Sequence, residues 1–122
     1  PKARLISSTT ACAEPLEVVS GCVTAAQKLL QEQQRSAHRI DLFEIHEAFA
    51  ATILKARHAL EIDIDKLNVN GGVIALGHPM GATGAIMTGT LIDELQRQQL
   101  TTGIVAASGA AGSGSALLLE RC

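Results

Sequence analysis

The segment NVNGGVIALGHPMGATG, residues 68–84, decides how this chain is interpreted. It places His78 between Gly77 and Pro79, after a Gly-Gly pair and before a helical pattern. Glycine lets backbone amides and a bound group approach closely because it has no Cβ, whereas proline fixes φ and donates no N–H. We therefore expect a loop at the end of an element to present this imidazole, where binding and catalytic groups are often found.

The composition is typical of one globular domain. The 122 residues are 47% hydrophobic and 18% charged, with a formal net charge of −2. The chain has no basic field and only two aromatic residues, both Phe, so we expect no nucleic acid partner. No apolar run approaches the ~18 residues of a membrane span. Because the chain starts at Pro1 rather than Met, we expect a piece of a longer protein.

We expect Cys12 and Cys22 to be buried, inert thiols, and Cys122 to lie in a frayed terminus. Cys12, Cys22 and Cys122 follow no metal-binding spacing, and their odd number argues against a disulfide framework. We expect no metal site, and a reducing, cytoplasmic location.

The spacing of apolar residues predicts alternating strands and helices. Strands are predicted at residues 3–10, 40–45, 104–107 and 116–120, and helices at 15–34, from about 47 to 60, and at 80–100. This alternation favours an α/β fold with helices covering a central sheet. The last two strands are joined by a short loop and should pair antiparallel.

Three helix faces carry a specific expectation. In the first helix the core-facing stripe is Val18, Cys22, Ala25 or Ala26, and Leu29. In the second it is Phe49, Ile53, Ala56 and Leu60. The third helix has a face of small residues, Gly81, Ala85 and Gly89, which we expect another element to approach closely.

Three segments are candidates for chemistry. His78 can exchange protons near neutral pH and activate a thiol or hydroxyl, and its glycine neighbours favour this role over that of a structural loop histidine. His46 and Glu47 lie where a strand's carboxyl end meets a helix, although Glu47 can also serve the helix dipole. The loop at residues 108–114 can direct backbone amides at an oxyanion, or can be a flexible hairpin.

Together these segments resemble the C-terminal half of the thiolase family. Residues 70–84 match the motif NGGAIALGHPxGxSG nearly residue for residue. Residues 44–51 resemble the segment E-[IF]-N-E-A-F-A, and residues 108–120 resemble the turn C-x-G-G-G-x-G with its final strand. The resemblance runs in order from about residue 3 to residue 120.

The resemblance implies the architecture and the activity. Residues 1–122 would form the C-terminal domain, with a mixed five-stranded sheet covered by helices, in an enzyme of αβαβα layers. The N-terminal half, absent from this chain, would carry the nucleophilic cysteine. Thiolases cleave 3-ketoacyl-CoA with CoA, or run the reverse Claisen condensation of acyl-CoA. The implied partners are CoA and acyl-CoA as substrates, the N-terminal half and further copies in a dimer or tetramer, with no permanently bound cofactor.

The resemblance also assigns roles to residues. His78 would activate the missing cysteine and help bind the thioester oxygen, and residue 46 would hold a water that completes this oxyanion site. The backbone amide of Ala110 would belong to a second oxyanion hole. The supporting loop positions are Asn70, Gly77, Pro79 and Gly109.

Two residues depart from the family pattern. His46 replaces the usual Asn, as in the HEAF segment of the trifunctional-complex β subunit. Ser108 stands where a thiolase keeps its acid/base cysteine, and a serine hydroxyl is a much poorer proton acceptor than a thiol of pKa ~8.5. Two alternatives to a thiolase therefore stay open. One is a thiolase-fold acyltransferase or hydrolase without carbanion chemistry, and the other is a non-catalytic domain that binds CoA esters or a partner.

Overall fold

Strands and helices alternate along the chain, as the computed structural model shows for residues 1–17 and 19–122. The strands are β1 (Ala3–Cys12), β2 (Leu42–Ile45), β3 (Thr102–Ser108) and β4 (Ser113–Arg121). The helices are α1 (Gly21–Glu32), α2 (Ala50–Leu60), α3 (Val73–Leu76) and α4 (Thr83–Arg97). The predicted α/β class is confirmed, and α3, a single turn, is the one α-helix of the described residues without a counterpart in the sequence prediction.

One mixed sheet holds the strands in the order β1–β4–β3–β2. β3 and β4 are antiparallel, which confirms the pairing predicted for the last two strands. β1 pairs antiparallel with β4, and β2 runs parallel to β3. Because β2 and β3 are parallel, their carboxyl ends meet at one edge, which is where α/β sheets usually bind ligands.

The described residues form four strands, so the expectation of a five-stranded sheet is wrong. Leu67 makes an isolated parallel bridge to Phe43 beside β2, where a fifth strand would lie. The next residue, Asn68, leaves extended geometry with φ of +46°. Its side chain accepts a hydrogen bond from the Ile45 amide at 2.7 Å and donates one to the Ile45 carbonyl at 2.9 Å. A side-chain amide thus satisfies the edge of β2 that a fifth strand would pair.

Helices cover both faces of the sheet. α1 and α2 pack on one face, over buried side chains that include Leu29, Phe43, Ile45, Ile104 and Leu118. α4 packs on the other face, in a second cluster formed by Leu42, Met87, Leu91, Leu95, Val105 and Leu119. Burying a Leu, Ile or Phe side chain contributes about 1.5–3 kcal/mol each, so these two clusters hold the helices on the sheet.

The apolar stripes predicted for the first two helices are confirmed at their described positions except Phe49, with Ile53 partly buried. The described residues of the first stripe are buried, and so are Ala56 and Leu60 of the second. Phe49 is instead 63% exposed, because α2 begins at Ala50 and Phe49 is its extended N-cap residue. Val18, which the prediction assigned to the first stripe, lies outside the described residues.

α4 begins later than predicted, and its small residues are uncovered. The carbonyl of Pro79 accepts hydrogen bonds from the amides of Ala82 at 2.7 Å and Thr83 at 2.9 Å, so a turn precedes the helix. A Cβ added to Gly81 or Gly89 would meet nothing within 4 Å. The close approach expected at this face is therefore not made by the described residues. Within residues 1–17 and 19–122, no helix combines the length and apolar character that crossing a membrane requires.

Two glycines allow α1 to start directly against β4. A Cβ on Gly114 would lie 2.0 Å from the carbonyl oxygen of Gly21, and one on Gly21 would lie 2.0 Å from that of Ser113. No side chain fits at either position, so the backbones are in contact. This contact brings the N-terminus of α1 next to the end of β3 at Ser108.

Candidate active site

The predicted site residues meet at the carboxyl edge of β2 and β3. His46 directly follows β2, and its amide donates to the Ala106 carbonyl at 2.9 Å, which continues the parallel ladder. Ser108 ends β3. A cleft of about 470 Å³ is lined by His46, Ser108, Gly109, Ala110 and His78 together with Phe49 and Met80. A larger open trough, of about 550 Å³, contains no histidine or carboxylate, so we take the cleft as the candidate site.

The histidine loop, residues 68–84, presents His78 to this cleft. Gly77 has φ of +83°, a conformation that glycine adopts without strain, and the loop then enters α4 through the Pro79 turn. The Nδ1 atom of His78 lies 2.7 Å from the hydroxyl oxygen of Thr83. His78 itself is exposed. The loop predicted from the sequence therefore holds an accessible imidazole by one nitrogen.

His46 is the buried partner of His78. His46 is only 5% exposed to solvent, and neither of its ring nitrogens has a hydrogen-bond partner among the described residues. The two imidazole centroids lie 4.4 Å apart with ring planes tilted by 37°. Burial, and then the charge of His78, lower the pKa of His46. His46 is therefore a neutral imidazole at physiological pH, able to donate from one nitrogen and accept at the other.

Glu47 clamps the histidine loop to the end of β2. Its carboxylate accepts hydrogen bonds from the Asn68 side chain and from the Ile74 amide, both at 3.0 Å. A Cβ on Gly72 would lie 2.5 Å from the carboxyl carbon, so the Gly-Gly turn passes directly over this group. The helix-dipole role considered for Glu47 applies to the first turn of α3, not to α2. Sequence reasoning missed Asn68, although it opens the Asn-x-Asn-Gly-Gly segment.

Asn70 ties the same loop to α4. Its side chain donates to the carboxylate of Glu94 at 3.0 Å, and Glu94 is also bonded to Arg97 at 2.6 Å. Hydrogen bonds from Arg97, Gln98 and Asn70 lower the pKa of Glu94 to about 2. Asn70 thus links the histidine loop to α4 from outside the cleft.

Glu44 is a buried carboxyl group one residue before the end of β2. It is 4% exposed. Burial, and then the charges of Glu47 and Glu94, raise the pKa of Glu44 to about 8. Glu44 is therefore protonated at neutral pH and adds no charge beneath the histidines.

Ser108 uses its hydroxyl to hold α1. It donates to the Val19 carbonyl at 2.9 Å and accepts from the Cys22 amide at 3.0 Å. Ser20, the N-cap residue of α1, makes no side-chain cap bond, so Ser108 satisfies an amide of the first helical turn in its place. Both hydrogen bonds of the hydroxyl point toward α1 and not toward His78.

The Ser108 loop, residues 108–114, carries one strained position. The amide of Gly109 donates to the Ser113 carbonyl, and the Ser113 hydroxyl donates to the Ala110 carbonyl, each at 2.8 Å. Ala111 has φ of +53° and ψ of +36°, in the left-handed region. An alanine there costs roughly 1–2 kcal/mol, and the turn motif C-x-G-G-G-x-G has glycine at this position.

The described residues supply acid–base groups to the cleft but no thiol. None of the three cysteines lines it: Cys22 is buried in α1 as expected, and Cys122 is exposed. Cys12 is also exposed, so the expectation that it is buried is wrong. Across residues 1–17 and 19–122, no three His, Cys, Asp or Glu side chains are grouped so that they can hold a metal ion. The geometry therefore defines a class of α/β domain in which a pair of histidines faces a loop of backbone amides.

Comparisons with known proteins give the family. Residues 1–121 match the family described as "Thiolase, C-terminal domain", and the chain therefore belongs to this family. It is 42% identical over 121 residues to an acetyl-CoA acetyltransferase of Synechocystis sp., covering 99% of this chain and 31% of that protein. It is 41% identical over 121 residues to an acetyl-CoA acetyltransferase of Escherichia coli, with the same coverage.

Solved structures agree with this assignment. A crystal structure of human mitochondrial 3-ketoacyl-CoA thiolase in complex with CoA superposes with a TM-score of 0.95 at 35% identity, over 100% of this chain and 31% of that one. The α/β architecture is therefore that of the thiolases. The chain spans about a third of the length of the relatives it matches.

Proposed function

We propose that the protein containing this chain is a thiolase-type acyl-CoA acyltransferase in which His78 is the base for a cysteine supplied outside residues 1–122. The observation that carries the proposal is the meeting of His46, His78 and the Ser108 loop around one cleft, in a chain of the thiolase family. The substrates are CoA and acyl-CoA, and no permanently bound cofactor takes part.

The first step needs an accessible base. His78 is exposed and is held through Nδ1, so Nε2 is available to take the thiol proton. The thiolate then attacks the carbonyl carbon of the acyl thioester, and collapse of the oxyanion breaks the C–S bond to CoA, whose thiolate takes the proton from His78. With a 3-ketoacyl-CoA the thiolate attacks C3 and the C2–C3 bond breaks, so the shortened acyl group stays on the cysteine and the acetyl-CoA carbanion must be protonated at its α-carbon. His78 and a water held by His46 stabilise the oxyanion, and the amide of Ala110 serves a second oxyanion position.

His46 suits the role of holding a water. Its buried ring offers one donor and one acceptor with no protein partner among the described residues. Buried polar groups are normally hydrogen-bonded, so a bound water or a substrate atom satisfies this ring when the site is occupied. A neutral His46 also avoids a second positive charge 4.4 Å from His78.

Proton transfer at the substrate's α-carbon is the step that the structure supports least. The family resemblance places Ser108 at the position of the acid/base cysteine, and the Ser108 hydroxyl is bonded to the Val19 carbonyl and the Cys22 amide. This observation favours a second candidate function, an acyltransferase or hydrolase of the thiolase fold that needs no carbanion. Acyl transfer through the cysteine is common to both functions.

The same proposal extends to partners and location. The surface around the histidine loop exposes large apolar side chains, with Leu76 67% and Met80 83% exposed. Exposed apolar surface of this kind marks an interaction site, and we assign it to the rest of the protein, including the half that carries the cysteine. We propose a homo-oligomeric, cytoplasmic enzyme.

The experiment uses the full-length protein. Thiolysis of acetoacetyl-CoA is measured for wild type and for Ser108→Cys, and acyl-enzyme formation is followed with labelled acetyl-CoA. The proposal expects acylation in both proteins and faster thiolysis in Ser108→Cys. Acylation with no thiolysis supports the second candidate function. Failure of any acyl-CoA to label the protein contradicts both functions and favours a non-catalytic binding domain.

A further inference from the structure

We propose that Thr83 is a positioning residue that fixes His78 in the tautomer with its proton on Nδ1, which leaves Nε2 unprotonated toward the cleft. The inference rests on the proposed function for its catalytic meaning, but the tautomer itself is a property of these residues alone. Thr83 is the first residue of α4 and is 2% exposed. Its hydroxyl oxygen lies 2.7 Å from Nδ1 of His78.

Counting hydrogens decides the direction of this bond. The buried hydroxyl has one hydrogen and two neighbours, His78 Nδ1 and the Pro79 carbonyl, to which it donates at 3.2 Å. If Nδ1–H donates to Thr83 and Thr83 donates to Pro79, two hydrogen bonds form. If Thr83 donates to Nδ1 instead, only one forms. Because each hydrogen bond contributes net stability, the arrangement with two bonds is favoured over the arrangement with one.

The Pro79 carbonyl also accepts the amides of Ala82 and Thr83 at 2.7 and 2.9 Å, so the hydroxyl is its third donor and the longest of the three contacts. The hydroxyl donates to this carbonyl because, once Nδ1 carries a hydrogen, the described residues offer it no other acceptor. The loop turn at Pro79 thus supplies both the start of α4 and the acceptor that orients Thr83.

The chosen tautomer fits a base. When Nε2 takes a proton, Nδ1–H remains bonded to Thr83, so no group has to reorient during the transfer. In the opposite tautomer Nε2 carries the hydrogen and cannot accept a proton. In histidines generally, the hydrogen bond made by one ring nitrogen determines which of the two nitrogens carries the proton.

The test reads the tautomer directly. Full-length protein labelled with ¹⁵N in its histidine rings is measured by solid-state NMR at a pH where His78 is neutral, with His78→Asn used to assign the signal by difference. Wild type and Thr83→Ser are expected to carry the proton on Nδ1, and Thr83→Val and Thr83→Ala are expected to lose this preference. Thr88→Val is the matched control, because Thr88 makes the same type of bond to the Gly84 carbonyl at 2.7 Å without touching a histidine.

Kinetics add a second readout. Removing one hydrogen bond costs about 1 kcal/mol, so the maximal rate of acyl-enzyme formation should fall about fivefold to tenfold in Thr83→Val, with the acyl-CoA concentration that gives half this rate unchanged, and Thr83→Ser should restore the rate. A wild-type signal with the proton on Nε2, or a tautomer unchanged in Thr83→Val, overturns the inference. If the tautomer behaves as expected but wild type transfers no acyl group, the role of Thr83 stands and the proposed function fails.

Discussion

The two loops that meet at the cleft are held in opposite ways. The histidine loop is fixed by bonds that converge on the site: Glu47 binds Asn68 and the Ile74 amide, and Thr83 binds His78. In the Ser108 loop, the hydroxyl of Ser108 is bonded away from the site, to the Val19 carbonyl and the Cys22 amide at the start of α1. The loop also carries a strained alanine. Under the proposed function, this difference means that the base for acylation is held toward the cleft, whereas the side chain at the acid/base position is held away from it.

The largest expected effect is on the rate of acyl-enzyme formation, which should depend on the histidine loop far more than on the Ser108 loop. His78→Ala in the full-length protein should slow acyl-enzyme formation by about 10²- to 10⁴-fold, the usual contribution of a general base. Ser108→Ala should change the same rate by less than about tenfold, since its hydroxyl is bonded to α1. Labelling with acetyl-CoA in a stopped time course gives both rates. Equal losses in the two variants would contradict the comparison.

A second prediction concerns pH and the strand beneath the histidines. The pKa of Glu44 is raised to about 8, so between about pH 4.5 and 8 the unfolded chain ionises this group while the native protein keeps it protonated. Glu44 therefore lowers stability as pH rises through this window, by at most about 1.4 kcal/mol per pH unit. Urea denaturation across pH should show a flatter profile for Glu44→Gln.

The control for this experiment is Glu94, whose shift has the opposite sign. Its pKa is lowered to about 2, so its contribution is present above about pH 4.5 and is lost as pH falls toward 2. Glu94→Gln should change the profile mainly in acid, with only a small change between pH 4.5 and 8, because the charge of Glu94 is the smallest of the three causes that raise the pKa of Glu44. An unchanged slope between pH 4.5 and 8 in Glu44→Gln would mean that Glu44 is ionised in the native protein.

A third prediction addresses the clamp on the histidine loop. Glu47→Gln keeps the shape but replaces one of two acceptor oxygens with an amide NH₂ that faces a donor. This change should cost about 1–3 kcal/mol of unfolding free energy, measured by urea denaturation, and should lower kcat. Glu32→Gln is the matched control, because Glu32 makes only an exposed 3.8 Å pair with Lys28. If Glu47→Gln is as stable and as active as Glu32→Gln, then Glu47 does not hold the histidine loop as described.

The smallest effect tests strain in the Ser108 loop. Ala111→Gly should stabilise the protein by about 0.5–1 kcal/mol, because glycine adopts the left-handed conformation without the Cβ clash. Ala110→Gly, one residue earlier, should destabilise it by a similar amount, since only backbone entropy changes there. Thermal unfolding of both variants gives the comparison. Stabilisation by Ala110→Gly and not by Ala111→Gly would show that the strain has been placed at the wrong residue.

Sequence reasoning reached the features that depend on local pattern. The Gly-His-Pro loop, the position of His46 at the end of a strand and the antiparallel final pair all follow from turn residues and periodicity. The meeting of His46, His78, Ser108 and Ala110 followed from the family resemblance, and the structure brings them to one cleft.

The features it missed depend on contacts between distant residues. The bonds from Ser108 to Val19 and the Cys22 amide link residues more than 80 positions apart, and no local pattern signals them. The prediction of a fifth strand was wrong because the Asn68 side chain forms the hydrogen bonds with β2 that a neighbouring strand would form. Phe49 fits a helical stripe by spacing but lies before the helix and faces outward.

The central claim is that this chain retains the base for acyl transfer and lacks the group for α-carbon proton transfer. The direct measurement incubates full-length protein with acetyl-CoA in D₂O and follows, in one sample by mass spectrometry, acyl-enzyme formation and deuterium uptake at the acetyl methyl group. We expect rapid acylation, slow deuterium uptake, and uptake accelerated in Ser108→Cys. Deuterium uptake in wild type as fast as in Ser108→Cys would contradict the account.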